Sequence, residues 1–319
     1  LIYMMILFVW GKNTLTTDEL PLGFKASPVA QEIGFEEGDQ LVSIDGKILD
    51  NVMDINRQLF LRPLKKITVK RASENIDVIT IPENIGQKMF ETGEMMPLTP
   101  LIPALIDSIE PNSPADISGL KYNDRLVSVN KTSIVHWGDF QELMEEKKQL
   151  TLSVVIERDQ MMQSLEINTP EGILGVYPRT DSIKYTNEKL SLDESIIEGF
   201  DYGYWTLYDY VSQFQYIFTK KGASQLGGFG AIGNMFPGTW NWKGFWSSTA
   251  LISIILAFMN ILPIPALDGG HVMFLAYEIV TGRKPNDKFM EYAQMFGFFL
   301  LMALVLYANG NDLFRAIFN

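Results

Sequence analysis

Hydrophobic positions gather at the two ends of the chain and alternate with polar ones through its middle. The opening run Leu1-Ile2-Tyr3-Met4-Met5-Ile6-Leu7-Phe8-Val9-Trp10-Gly11 is uncharged. It is shorter than the roughly twenty apolar residues that cross a bilayer, and it lacks the basic flank of a signal peptide. It reads as the end of a transmembrane helix, residues 1–11, whose beginning is missing. Near the other end, residues 244–262 form one uncharged apolar span. Residues 289–308 form a second, with only Glu291 and Gln294 near its start. Each is long enough to traverse the hydrocarbon core. Trp240, Trp242 and Trp246 crowd the start of the first, in the manner of an interfacial aromatic belt.

Between the ends, short alternating segments occur twice. Ser27-Pro28-Val29-Ala30 leads to Gly34-Phe35-Glu36-Glu37-Gly38-Asp39 and then Gln40-Leu41-Val42-Ser43-Ile44. Ser113-Pro114-Ala115-Asp116 leads to Gly119-Leu120-Lys121-Tyr122-Asn123-Asp124 and then Arg125-Leu126-Val127-Ser128-Val129. Each copy predicts a short helix after Ser-Pro, a turn at Gly38-Asp39 or Asn123-Asp124, and a strand. A second helix is expected over 51–61 and 135–147, and strands over 67–69, 78–81, 150–156 and 164–167. Two β-rich modules, 18–85 and 98–176, account for this most economically.

Residues 180–243 predict an amphipathic helix followed by a glycine-rich segment. Ile196, Ile197, Phe200, Tyr204, Leu207, Tyr208, Val211, Phe214, Ile217 and Phe218 recur at three and four, with Ser191 or Asp193 as cap. The aromatic side suits a bilayer interface; a soluble helix facing a core has the same pattern. Gly227-Gly228-Phe229-Gly230-Ala231-Ile232-Gly233 is too glycine-rich for a stable helix. Its expected use is close packing of backbone against membrane helices.

Composition sharpens this picture. A chain of 319 residues has room for two or three domains. A mean hydropathy of +0.06 with 20% charged residues requires the segregation just described. A net charge of −12 argues against nucleic acid as a partner, since phosphate binding needs clustered Lys and Arg. The chain has no cysteine, hence neither a disulfide framework nor a thiolate metal site. Arg283, Lys284 and Lys288 lie between the two spans. By the positive-inside rule that loop is cytoplasmic, which puts the modules and residues 309–319 on the opposite side.

The candidate chemistry sits in Asn260-Ile261-Leu262-Pro263-Ile264-Pro265-Ala266-Leu267-Asp268-Gly269-Gly270-His271, at the end of the first span. Asp268 is the first charge after Lys243. A carboxylate there is costly to place unless something cationic or polar receives it, or unless the span ends in a solvated turn. Both readings remain open from spacing alone.

The two copies resemble PDZ domains of the circularly permuted bacterial kind, whose pattern is Ser-Pro-Ala, Gly-Leu and Gly-Asp; the second keeps Ser113-Pro114-Ala115 and Gly119-Leu120 but has Asn123 where glycine is usual. Such domains accept an extended peptide along a strand edge. Either module is alternatively a spacer with a closed groove. The pattern Asn-x-x-Pro-x-Pro-x-Leu-Asp-Gly-Gly from Asn260 resembles the C-terminal motif of the site-2 protease family, bacterial intramembrane zinc metalloproteases with tandem PDZ domains. That resemblance covers the whole chain in order. It implies a multi-domain fold, a polytopic α-helical membrane domain (with 244–319 as its C-terminal part) carrying two inserted β-rich PDZ domains. It also implies Zn2+ as cofactor, Asp268 as a metal ligand facing inward, and Asn260 as a catalytic residue contacting substrate or the oxyanion.

The implied partners are the lipid bilayer and single-span membrane proteins of anti-sigma-factor or remnant-signal-peptide type, with the PDZ domains gating or reading the trimmed substrate. The implied location is a bacterial inner membrane, with the modules periplasmic or extracytoplasmic. In the family two further ligands come from a His-Glu-x-x-His helix, and neither His136 nor His271 begins that pattern. His136 is expected at the surface or as a cap, and His271 in a packing or supporting role. The alternative is a membrane-anchored PDZ receptor or scaffold without enzymatic activity.

Overall fold

The computed structural model describes residues 1–146, 151–169, 173–180, 183–217, 219–225 and 227–318. Lys147, Leu150 and Phe218, at the ends of expected elements, lie outside them. The chain divides into two compact units, one of residues 1–12 with 187–319 and one of residues 13–186.

Helix α1 (Ile2–Trp10) and strand β1 (Lys12–Thr14) open the chain. The β-rich unit follows as β2 (Phe24–Ala26), α2 (Pro28–Glu32), β3 (Gln40–Ile44), α3 (Ile55–Leu61), β4 (Lys66–Lys70), β5 (Ile76–Thr80), α4 (Ile85–Thr92) and β6 (Leu98–Pro100). A second round comprises β7 (Ile106–Ile109), α5 (Pro114–Ile117), β8 (Arg125–Val129), β9 (Thr132–Ser133), α6 (Trp137–Glu146), β10 (Thr151–Arg158), β11 (Met161–Asn168) and β12 (Val176–Pro178). Each round closes with a short antiparallel pair, β2 with β6 and β7 with β12, beside a larger sheet. That sheet has the order β3-β4-β5 in the first module and β11-β10-β8-β9 in the second.

Local chemistry explains the repetition. Ser27 and Ser113 cap α2 and α5 by accepting from Ala30 N and Asp116 N, with proline in the first turn of each helix. Gly38 (φ 85°) and Asn123 (φ 70°) take the left-handed turn position, which Asn tolerates nearly as well as Gly. Phe24, Phe35, Ile55, Leu59 and Ile67 fill one core, and Ile106, Leu126, Phe140, Ile156 and Ile167 the other.

Beside each turn a buried aspartate is clamped. Arg158 grips both oxygens of Asp124 (Nε to Oδ1 2.7 Å, Nη2 to Oδ2 2.6 Å) and donates to Gly119 O. Arg71 reaches only Oδ2 of Asp39 (2.7 Å), also donating to Gly34 O and to Asp77. Asp39 Oδ1 is left without a hydrogen bond. Burial pushes the Asp39 carboxyl above its ordinary range, offset in part by the Glu36 N–H and the Arg71 charge.

Strand β13 (Thr186–Glu188) leads into the helical unit: α7 (Leu192–Ser212), α8 (Phe214–Ile217), α9 (Lys220–Gln225), α10 (Phe229–Asn234), α11 (Trp242–Ile261), α12 (Asp268–Thr281) and α13 (Asp287–Phe318). Ser191, not Asp193, caps α7, in a reciprocal box with Glu194. Helix α1 packs on α7 and α11. A Cβ on Gly199 would lie 2.7 Å from Met4 Cα, so only glycine permits that approach. The rings of Tyr210, Phe214 and Phe258, 5.4–5.8 Å apart, join α7 and α8 to α11. Helices α11 and α13 are long and apolar enough to cross a membrane.

The glycine-rich segment departs from expectation by forming α10. Its exposed N–H groups are held by side chains of α13. Asp312 Oδ2 accepts from Gly228 N (2.9 Å) and Ala231 N (3.1 Å), and Asn309 Oδ1 accepts from Phe229 N (3.1 Å). External acceptors at a helix start offset the entropic cost of its glycines. The glycines let the two backbones approach, since a Cβ on Gly228 would lie 2.6 Å from Asn309 Oδ1.

Candidate functional site

The motif stretch runs from the end of α11 through the connecting loop into the start of α12. Asn260 occupies the last turn of α11 and is exposed. Pro263 and Pro265 bring no N–H to a continuing helix, and Ala266 adopts a left-handed φ of 85°. The loop folds back onto the start of α12 because three glycines make room. A Cβ on Gly269 would meet Ile261 O at 2.5 Å, and one on Gly270 would meet Ile264 O at 2.6 Å. One on Gly297, across on α13, would lie 2.5 Å from the Pro265 carbonyl carbon and closer still to its oxygen.

Asp268 is the first residue of α12, where an acidic side chain complements the helix dipole. It is exposed, not inward-facing as expected. The physical reason is helical phase. Gly270 is the buried residue that packs against the loop, and two positions along a helix of 3.6 residues per turn put Asp268 about 200° away. Its carboxylate has no hydrogen-bond or ion-pair partner among the described residues. His271 is also exposed and lines a cleft of about 550 Å³ with Ala266, Glu291, Gln294, Met295 and Phe298.

Among the described residues, neither Asp268 nor His271 belongs to a group of three potential metal-ligating side chains. Glu37, His136 and Asp139 do form such a group, in the other unit. His136 is buried, contrary to a surface position, and caps α6. Its Nδ1 accepts from Asp139 N (3.2 Å). With the lone pair of Nδ1 engaged, the proton of the neutral ring lies on Nε2, which donates to Glu37 Oε1 (2.7 Å) and faces Asp139 Oδ1 at 3.1 Å. A metal-bound histidine has the opposite arrangement, a bare ligating nitrogen and an N–H on the other. The cluster is therefore a clasp from the second module to the first, supported by the Lys25–Glu142 ion pair. That pair holds the Lys25 ammonium above its ordinary range.

Sequence reasoning singled out Asn260 and Asp268 as candidates and gave no signal for Gly297, which packs against a residue 32 positions away. It also missed Arg71, Arg158 and Asn56, polar residues that pattern alone assigns to the surface.

These elements define a class. The chain matches Peptidase family M50 over residues 1–304 and belongs to that family. Among particular relatives, it is 26% identical over 318 residues to the Regulator of sigma E protease of Haemophilus influenzae, covering 90% of this chain and 69% of that protein. It is 26% identical to the Regulator of sigma-E protease RseP of Escherichia coli, covering 91% and 70%. It is 30% identical, with the same coverage of 91% and 70%, to PM1991 of Pasteurella multocida, whose name proposes a zinc metalloprotease. A solved HtrA3 PDZ domain bound to a phage-derived ligand overlaps 21% of this chain and 62% of its own, at 22% identity and a TM-score of 0.19, too little to define either module.

Proposed function

We propose that the chain forms part of a zinc-dependent intramembrane protease that cuts single-span membrane proteins of anti-sigma-factor or remnant-signal-peptide type. In this reading α11 and α13 cross a bacterial inner membrane. The β-rich modules are PDZ domains on its periplasmic or extracytoplasmic side, gating or reading the trimmed substrate. Membership of family M50 supports the protease class. The apolar side chains of α13 are largely exposed and most of those of α11 are half-buried, which suits lipid better than water.

The observation that carries the reading is Asp268 itself. It is a carboxylate at a helix start, without a partner among the described residues, held by a proline and glycine frame between two candidate spans. Catalytic zinc takes three protein ligands, and this chain alone does not supply them. Its two histidines are His136, committed to the clasp, and His271, three positions along the same helix as Asp268. Asp268 would take one of the three ligand positions. Asn260 brings an amide donor, suited to a substrate carbonyl or an oxyanion.

Asp268→Asn in the membrane-embedded protease is expected to abolish cleavage of a single-span substrate and to lower zinc content. Unchanged metal and turnover would overturn the assignment. The competing reading is a membrane receptor without enzymatic activity. It predicts peptide binding with no zinc at all.

A further inference from the structure

Both modules end in equivalent edge strands. Ser27 N donates to Pro97 O (2.8 Å), and Glu110 N to Gly175 O (2.9 Å). These bonds fix Leu98, opposite Ala26, and Val176, opposite Ile109, as equivalent positions. At such positions of an antiparallel pair the backbone N–H and C=O point away from the neighbouring strand. Two residues further on each strand has a proline, Pro100 or Pro178, with a carbonyl but no N–H. A single residue per edge, Leu98 or Val176, therefore offers both a donor and an acceptor.

The two edges differ in what meets them. In the first module, Asn56 Nδ2 of α3 donates to Leu98 O (2.7 Å), and Leu98 N donates to Asn56 Oδ1 (3.0 Å). Both residues are buried. A planar amide giving one N–H and one C=O to a strand edge does what a peptide bond of an added strand does. In the second module, Val176 has no partner for its outward groups among the described residues. The residue that matches Asn56 in the repeat, following buried Phe140 as Asn56 follows buried Ile55, is Gln141. It is exposed and makes no hydrogen bond among the described residues.

We propose that Asn56 seals the strand edge of the first module as a built-in ligand, leaving the open edge at Val176 of the second module as the site for an extended peptide. The occupant must present alternating N–H and C=O groups at strand spacing, which defines a polypeptide backbone. The sister module already shows the hydrogen bonds it would make. The inference rests on the reading of the modules as peptide receptors and not on the metal centre.

The test uses the full chain in lipid nanodiscs and a fluorescein-labelled decapeptide of alternating Thr and Val with a free carboxylate. A single saturable site is expected. Val176 N–H exchanges quickly with deuterium in the free protein and slowly with peptide bound, whereas Leu98 N–H exchanges slowly throughout. Val176→Pro, or N-methylation of alternate peptide amides, weakens binding at least about tenfold, and Asn56→Ala creates a second site. Equal exchange at Leu98 and Val176 in the free wild-type chain would overturn the asymmetry without recourse to any variant. So would full binding by Val176→Pro, a single site in folded Asn56→Ala, or no saturable binding below about 1 mM. Zinc content and cleavage are scored separately, so failure of peptide binding with cleavage intact counts against this inference alone.

Discussion

Gly297→Ala is a small change with a large expected effect. The added Cβ would stand 2.5 Å from the Pro265 carbonyl carbon, where ordinary contact begins near 3.4 Å. Loop or helix must then yield by at least about 0.9 Å, and further to clear the nearer Pro265 oxygen; overpacking of this kind costs roughly 1–3 kcal/mol. Alanine in a helix gains about 1 kcal/mol over glycine, so the net loss of stability is at most about 2 kcal/mol. The effect on activity is larger, because Pro265 lies three residues before Asp268. A displacement near 1 Å at a reacting group can cost about a hundredfold in rate.

The assay is cleavage of a single-span substrate in membranes, paired with thermal unfolding. Gly310→Ala serves as control on the same helix, since a Cβ there meets nothing within 4 Å. The control should gain stability and keep its rate, while Gly297→Ala loses both. A stabilised Gly297→Ala with full turnover would refute the packing argument.

Three further outcomes follow from the β-rich unit and α10. Arg158→Met removes the charge partner of the fully buried Asp124 carboxylate, leaving it the Lys121 N–H, and is expected to destabilise the second module by about 3–5 kcal/mol; urea unfolding followed by tryptophan fluorescence checks this, and a loss below about 1 kcal/mol contradicts it. Asp39 binds its proton more tightly folded than unfolded, so its contribution to stability is full below the ordinary Asp value of about 4 and is lost as pH rises through the raised native value. The urea midpoint of wild type should therefore fall relative to Asp39→Asn over that rise, and a constant difference at every pH would rule out the burial argument. Asp312→Ala removes the oxygen that accepts two hydrogen bonds at the start of α10, and faster amide exchange at Gly228 and Ala231, but not in α11, is the expected readout.

How far the sequence reached depended on the range of the interaction. The Ser-Pro caps, the left-handed turns and the alternating strands are local, and the repeat doubled their signal. Long uncharged runs likewise announced α11 and α13. Helix α4 was missed because it fell between the two proposed modules, although Ile85, Met89 and Phe90 mark its buried face. The glycine-rich segment was misjudged because its stabilising acceptors, Asn309 and Asp312, lie about eighty residues away. Asp268 was identified from its setting, yet its outward direction follows from Gly270 packing on the loop, which spacing does not reveal. Asn56 gave no signal of its own, since a buried amide and a surface amide look alike in sequence.

The hydrogen bonds from Asn309 and Asp312 to the start of α10 also have a mechanical meaning. Sliding α13 by a single turn, about 5.4 Å, would exceed the reach of any of them, and rotating it would swing the acceptors off their donors. Helix α13 is thus geared to α10 at one end. Through Gly297 beneath the Pro265 carbonyl, the same rod bears on the motif loop at the other. The glycine-rich helix and the loop that leads into Asp268 thus rest on one and the same helix.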